Sequence, residues 1–95
     1  MKKSLDAHFK ISDNVCYFQG CFDKFTIPAL WKKLQPELQA TPANIVNLSD
    51  VDECDSALIA LLVEIKKQQR DVKITAIPEN LVQLLDLYQV KTLLS

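Results

Sequence analysis

The sequence contains one glycine and one histidine among its 95 residues, and these two shortages exclude several classes of enzyme. A single glycine cannot build the glycine-rich loops that hold phosphate groups in Walker-type ATPases and dinucleotide-binding enzymes. The one histidine, His8, excludes two-histidine zinc motifs and leaves no local support for a histidine-based triad. We therefore expect no catalytic residues and interpret His8 as an exposed strand residue.

Long apolar runs and an excess of basic charge are also missing. The longest uninterrupted apolar run, residues 57–63, has seven residues, whereas a membrane-spanning helix needs about 20. The formal net charge is −1, without the excess of basic residues that is typical of nucleic-acid-binding proteins. The sequence thus predicts a cytoplasmic protein that binds no nucleic acid, does not insert directly into a membrane and needs no cofactor.

The three cysteines do not form a recognisable redox or metal motif. Cys16, Cys21 and Cys54 contain no C-x-x-C pair, and their number is odd, which favours reduced thiols in a cytosolic protein. Cys54 lies between Glu53 and Asp55, whose negative charges disfavour its thiolate. We therefore expect no reactive cysteine.

The composition and the hydrophobic patterns predict one globular α/β domain over residues 1–95. Hydrophobic residues make up 48% of the chain and charged residues 24%, as in folded proteins. Strands are predicted at residues 7–11, 15–20, 44–48 and 72–77, the first two forming a hairpin around the polar turn 12–14. The order β-β-α-β-α-β-α predicts a mixed β-sheet with helices packed against it.

Helix signals occur at three places. Thr26 is a candidate cap before Pro28, and Pro36 is expected to kink or end this first helix. The second helix is predicted over residues 56–69, and the third begins at Pro78. Residues 90–94 are predicted to form a short strand or a docked tail.

The second helix carries more apolar surface than one core-facing stripe requires. Its stripe at helical spacing is Leu58, Leu61, Leu62 and Ile65. The arc is widened by four more residues: Ala57, Ile59, Ala60 and Val63. Two interpretations remain open, a helix buried on two sides within the domain and an exposed apolar patch that binds a partner.

Four carboxylates precede this helix in a predicted loop: Asp50, Asp52, Glu53 and Asp55. A calcium loop beginning at Asp50 would need glycine at its sixth position and glutamate at its twelfth, where the chain has Asp55 and Leu61. The match fails, and we predict no metal site. The carboxylates are interpreted as solvated acids that favour the positive end of the helix.

Asp55 or Ser56 is the predicted N-cap of the second helix, and Ser56 is a candidate phosphoacceptor. A phosphate would add about −2 charge, and the helix end would favour it by roughly 0.3–1 kcal/mol. Repulsion from each nearby carboxylate costs about 1 kcal/mol at 4 Å in water. We therefore expect phosphorylation of Ser56 to disrupt an interface and not to build one.

The run Cys54-Asp55-Ser56, which follows a strand and an acidic segment and opens a leucine-rich helix, resembles the STAS domain of anti-sigma factor antagonists. Further similar motifs are residues 27–31, 47–51 and 87–90, in the same order and spacing. Within the family, the chain most resembles the small cytoplasmic STAS subunit of phospholipid-transport ABC complexes of Gram-negative bacteria.

This resemblance implies a non-enzymatic subunit that binds an ABC transporter ATPase within a membrane complex and supports it. The predicted partner-binding residues are Asp55, Ser56, Ala57, Leu58, Ile59, Ala60 and Val63. The alternative is an anti-anti-sigma factor that captures an anti-sigma kinase while Ser56 is unphosphorylated. A small hydrolase or metal enzyme is disfavoured because the chain offers no nucleophile–base pair and no ligand set.

Overall fold

A computed structural model describes residues 6–88, and the tail predicted at residues 90–94 lies outside this range. The elements follow the order β-β-α-β-α-β-α, as predicted. The strands are β1 (Ala7–Ser12), β2 (Val15–Phe22), β3 (Ile45–Cys54) and β4 (Lys73–Thr75). The helices are α1 (Ile27–Ala40), α2 (Ser56–Gln68) and α3 (Glu79–Tyr88).

The strands form one mixed sheet in the spatial order β1-β2-β3-β4. Strands β1 and β2 pair antiparallel around a two-residue turn, while β2–β3 and β3–β4 pair parallel. The turn residues Asp13 and Asn14 have positive φ angles of 51° and 67°, the conformation of tight hairpins that short polar side chains tolerate. The structure therefore confirms the predicted hairpin and the mixed α/β fold.

The helices cover one face of the sheet. Each parallel crossover is expected to be right-handed, and two successive crossovers in the same direction place α1 and α2 on the same side. Helix α2 contacts both α1 and α3. The residues that fill the layer between helices and sheet include Phe18, Phe22, Leu34, Val46 and Leu62, all fully buried.

Strand β3 is longer than predicted, and it absorbs most of the segment that was expected to be an acidic loop. It runs to Cys54 and pairs with β2 along its length, with register shifts near Tyr17 and Gly20. Each shift inserts one additional residue in β3, as in a β-bulge. Gly20, the one glycine of the chain, has φ 97° at the second shift, a conformation that favours glycine.

Helix α1 continues through Pro36 to Ala40, so of the two predicted effects of this proline, a kink or an end, the end is wrong. Proline removes one helical hydrogen bond, the bond to the carbonyl of Lys32. Pro36 and Lys32 are both exposed, so water can satisfy that carbonyl. Leu34 and Leu38 on the opposite side are buried in the core and hold both halves of the helix against the sheet.

Candidate functional site

The N-terminus of α2 is fixed by Asp55. Its Oδ1 accepts a hydrogen bond of 2.8 Å from the backbone N–H of Ala57, which makes Asp55 the N-cap. Its Oδ2 accepts a longer bond of 3.4 Å from the backbone N–H of Lys24 in the turn before α1. One carboxylate therefore joins the beginnings of two neighbouring helices.

The turn before α1 is stabilised by a second carboxylate, Asp23. Its Oδ1 accepts hydrogen bonds from the backbone N–H groups of Phe25 (2.9 Å) and Thr26 (3.0 Å). Thr26 occupies the N-cap position but its hydroxyl makes no cap bond, and donates instead to the carbonyl of Cys21 at 2.8 Å. The turn holds Phe25 in solvent, with 80% of its surface exposed.

The electrostatics of this turn keep Asp23 ionised. The hydrogen bond from the thiol of Cys21, at 3.3 Å, is the largest effect that lowers the pKa of Asp23, and the N–H groups of Thr26 and Phe25 add to it. The same contact raises the pKa of Cys21, after burial as the main cause, to about 11. Cys21 therefore stays protonated and donates a hydrogen bond to Asp23.

An apolar groove of about 340 Å³ lies between α1 and α2, directly beside this turn. From α1 it is lined by Ile27, Pro28 and Trp31, and from α2 by Ala57, Ala60, Leu61 and Glu64, with Lys24 at one end. Ala60 is exposed, and Ala57, Ile27 and Trp31 are half-buried. The small side chains of Ala57 and Ala60 leave space for this groove between the two helices.

The structure separates the seven predicted partner-binding residues into two groups. Ser56 and Ala60 are exposed, while Asp55, Ala57 and Val63 are half-buried. Leu58 and Ile59 are 0% and 6% exposed, so the prediction that they lie in an accessible patch is wrong for these two. They face the core because α2 packs against α1 and α3 as well as the sheet, so the helix is buried on more than one side at these two residues.

Sequence reasoning missed the contribution of α1 and its preceding turn. Trp31 belongs to the motif at residues 27–31 that carries part of the family resemblance, and it was not among the predicted partner-binding residues. The structure leaves Trp31 half-buried at the groove. Nothing in the sequence marked Lys24 or Phe25, because their positions depend on how the turn folds beside Asp55.

The pKa of Cys54 is raised, as expected, but its acidic neighbours are not the main cause. Burial raises the pKa of Cys54 first, and the charge of Asp55 adds to it. The Nδ2 atom of Asn80 lies 3.6 Å from the sulfur of Cys54.

Across residues 6–88, no group of three or more His, Cys, Asp or Glu side chains could hold a metal ion.

The structure is a mixed sheet with helices on one face and an exposed serine at the first residue of α2. This is the arrangement that the resemblance based on Asp55 and Ser56 implies. Residues 13–95 match the family model described as "Mlab, STAS domain", and the chain belongs to this family. This confirms the resemblance seen in the sequence. The comparison with curated proteins gave no match. No helix in the described part of the chain is long and apolar enough to cross a bilayer.

Proposed function

We propose that the protein is a non-enzymatic, cytoplasmic subunit of a phospholipid-transport ABC complex of the type that maintains outer-membrane lipid asymmetry. In this role it binds the transport ATPase, an MlaF-like subunit, and supports its activity at the inner membrane. The membership of residues 13–95 in the MlaB-type STAS family is the observation that carries the proposal.

The surface proposed to bind the ATPase is the groove between α1 and α2 together with Ser56 and Phe25. Partner surfaces commonly combine an apolar centre with aromatic side chains and a polar rim. Trp31 and Ile27 supply the apolar part here, and Lys24 and Glu64 lie at the rim. Phe25 is held in an exposed position by the Asp23 turn, so little conformational entropy is lost when a partner covers it.

The test is co-purification of the tagged full-length chain from its native host, with the ABC ATPase identified and quantified by mass spectrometry. Ala60→Arg places a charged side chain in the groove, and Ala40→Arg makes the same change at the exposed end of α1. Arginine and alanine have similar helix propensities, so neither change should unfold the domain. We expect Ala60→Arg to lower affinity by about ten-fold or more and Ala40→Arg to leave it unchanged.

A second pair of variants tests Ser56. Ser56→Asp adds a negative charge at the helix N-terminus, where it should not destabilise the fold, while Ser56→Asn adds a side chain of similar size without charge. We expect less ATPase with Ser56→Asp than with Ser56→Asn. Undiminished ATPase with both Ala60→Arg and Ser56→Asp would show that the surface is wrong. Absence of any ABC ATPase with the unmodified chain would show that the function is wrong.

The exposure of Ser56 at the first residue of α2 supports a second candidate, an anti-anti-sigma factor controlled by phosphorylation. In that case, incubation with a cognate anti-sigma kinase and ATP should add about 80 Da, the mass of one phosphoryl group, at Ser56. An unchanged mass, with Ser56→Ala as the blank, would contradict this candidate.

A further inference from the structure

Strand β1 forms one edge of the sheet that residues 6–88 build. It pairs with β2, and no strand lies beyond it in the part of the chain that the structure describes. The carbonyl of Asp6 accepts a hydrogen bond of 3.0 Å from the N–H of Cys21. In an antiparallel pair, hydrogen-bonded positions alternate. The N–H and C=O groups of Ala7, Phe9 and Ile11 therefore point away from β2, towards the open edge.

A second groove of about 540 Å³ runs beside this edge, between β1 and α1. Its apolar lining includes Phe9 from β1, Ala29 and Leu30 from α1, and the exposed ring of Phe25. Phe9 stands opposite the buried Phe18, so it lies on the helix-covered face of the sheet. A strand added to β1 would direct alternate side chains into this groove, over α1.

The charges around the edge favour an acidic occupant. Lys33 lines the groove on α1, and Lys10 is exposed in the middle of β1. Asp6 also lines the groove, at the end where β1 begins, and Asp13 lies just beyond the other end of β1. The central residues of an added strand would meet Lys10 across the strand pair on one face and Lys33 of α1 on the groove face, and opposite charges on neighbouring strands attract each other.

A second copy of the same strand fits this edge poorly. If two β1 strands paired antiparallel around Phe9, Lys10 of each would face His8 of the other. Both side chains are exposed, and the pairing would place two lysines and two imidazoles on one small surface without a facing carboxylate. In this register neither lysine gains an opposite charge from the second copy, whereas an acidic segment would supply one.

We propose that the β1 edge binds an extended acidic segment of a partner protein by β-strand addition, at a place that adjoins Phe25 but shares no lining residue with the α1–α2 groove. Main-chain hydrogen bonds to Ala7, Phe9 and Ile11 supply the affinity, and pockets for alternate side chains supply the specificity. One face of the bound segment places apolar residues against Phe9 and Phe25. Acidic residues of the segment pair with Lys33 and Lys10.

The first test is an NMR titration of the full-length, ¹⁵N-labelled chain with a capped peptide of about six residues in which valine and glutamate alternate. A matched peptide has lysine in place of glutamate. We expect the glutamate peptide to shift the amide signals of Ala7, Phe9 and Ile11 and to slow their hydrogen exchange. Equal binding of both peptides, no binding at about 1 mM, or shifts confined to α2 would overturn the proposal.

Two charge variants on adjacent residues of α1 test whether the peptide binds in this groove. Lys33→Glu reverses a charge that lines the groove, whereas Lys32→Glu makes the same change at an exposed residue that does not line it. We expect Lys33→Glu to weaken the glutamate peptide by about five-fold and Lys32→Glu to leave its affinity unchanged. An equal loss in both variants would show that binding follows net charge and not this groove.

A backbone variant tests the hydrogen bonds directly. Ala7→Pro removes an N–H group that points outward, so it leaves the pairing of β1 with β2 intact, and proline is tolerated at such edge positions. We expect a loss of peptide affinity with no change in the spectrum of the remaining sheet. Concentration-dependent shifts of the same amides without peptide would identify a second copy of the chain as the occupant, in place of an acidic partner segment, and would overturn the proposal. None of these changes touches the α1–α2 groove, so ATPase binding is a separate outcome.

Discussion

At the scale of single residues, Asp55 has the largest structural role near the candidate site. It caps α2 through Ala57 and also accepts a bond from Lys24, so it sets the position of the turn that displays Phe25. Ser56, the next residue, is exposed and belongs to the first turn of the helix. Asp55 therefore fixes the start of α2, while Ser56 presents its hydroxyl to solvent.

Loss of the Asp55 cap should destabilise the domain. For Asp55→Ala we expect the free energy of unfolding to fall by about 1 kcal/mol, the usual cost of removing an N-cap. The measurement is urea denaturation followed by circular dichroism. The matched control is Asp52→Ala, which removes an exposed carboxylate from the same segment and should have a small effect. Equal losses would mean that net charge, and not the cap, is responsible.

At the scale of secondary-structure elements, one amide side chain at the end of α2 holds the end of α1 and the segment that precedes β3. Gln69 accepts a hydrogen bond from the N–H of Ala43 at 3.1 Å and donates one to the carbonyl of Leu38 at 3.0 Å. Its own N–H bonds to the carbonyl of Ile65 at the end of α2. These contacts fix the connection between α1 and β3 against the second helix.

Removal of this side chain should leave two backbone groups without partners. Ala43 is 3% exposed and Leu38 is 1% exposed, so water cannot easily replace the amide. We expect Gln69→Ala to lower the free energy of unfolding by about 1–3 kcal/mol. The neighbouring Gln68 is exposed, and Gln68→Ala should change stability by less than about 0.5 kcal/mol. A similar loss in both variants, measured by urea denaturation, would contradict the proposed role.

The two prolines of α1 should respond differently to replacement. Pro36→Ala restores one helical hydrogen bond, and we expect a gain of about 1–2 kcal/mol after the greater entropy of the unfolded chain is included. Pro28 lies in the first turn, where its missing N–H would have no helical partner. Pro28→Ala should therefore give no gain. Thermal unfolding would compare the variants, and equal effects would contradict the explanation.

At the scale of the whole molecule, the buried layer includes ionisable thiols that must remain protonated. Burial raises the pKa of Cys16 from its ordinary 9.0 to about 12, and that of Cys21 to about 11. In the unfolded chain these thiols lose their protons near pH 9. The folded state therefore binds more protons than the unfolded state above that pH, and the stability of the domain must fall as the pH rises.

This linkage predicts an alkaline loss of stability. Above pH 9, each of the two buried thiols should lower the free energy of unfolding by about 1 kcal/mol for each pH unit, until the pH reaches its folded pKa. Urea denaturation at pH 8 and pH 10 measures the difference. Cys16→Ala should be less stable at both values, because it leaves a small cavity, but its loss between them should be smaller. A pH response identical to that of the unmodified chain would contradict the assignment.

The order of elements could be predicted because it depends on local patterns. The hairpin at Asp13 and Asn14, the apolar stripe from Leu58 to Ile65 and the proline before α3 each have a short-range signal. The ends of two elements were predicted wrongly, because they depend on contacts with residues far away in the sequence. Strand β3 continues to Cys54 because β2 offers pairing partners along that length, and α1 passes Pro36 because Leu38 is buried beyond it.

The candidate site could be predicted only in part. Asp55 and Ser56 were identified because a capping residue before an apolar helix is a sequence signal. Phe25 and Lys24 were not, since they reach the site through a turn held by Asp23 and by the carboxylate of Asp55. Leu58 and Ile59 were included wrongly, because periodicity shows which residues are apolar but not how many neighbours surround the helix.

The sequence by itself determined the α/β class, the family and the capped start of α2, since each depends on short motifs and on their order along the chain. The tertiary structure decided which side of α2 is accessible and joined α1 to it as a groove. Within residues 6–88 it also placed β1 at the edge of the sheet, beside a second groove. These features depend on the packing of distant elements, and the energy of that packing is not contained in any local pattern.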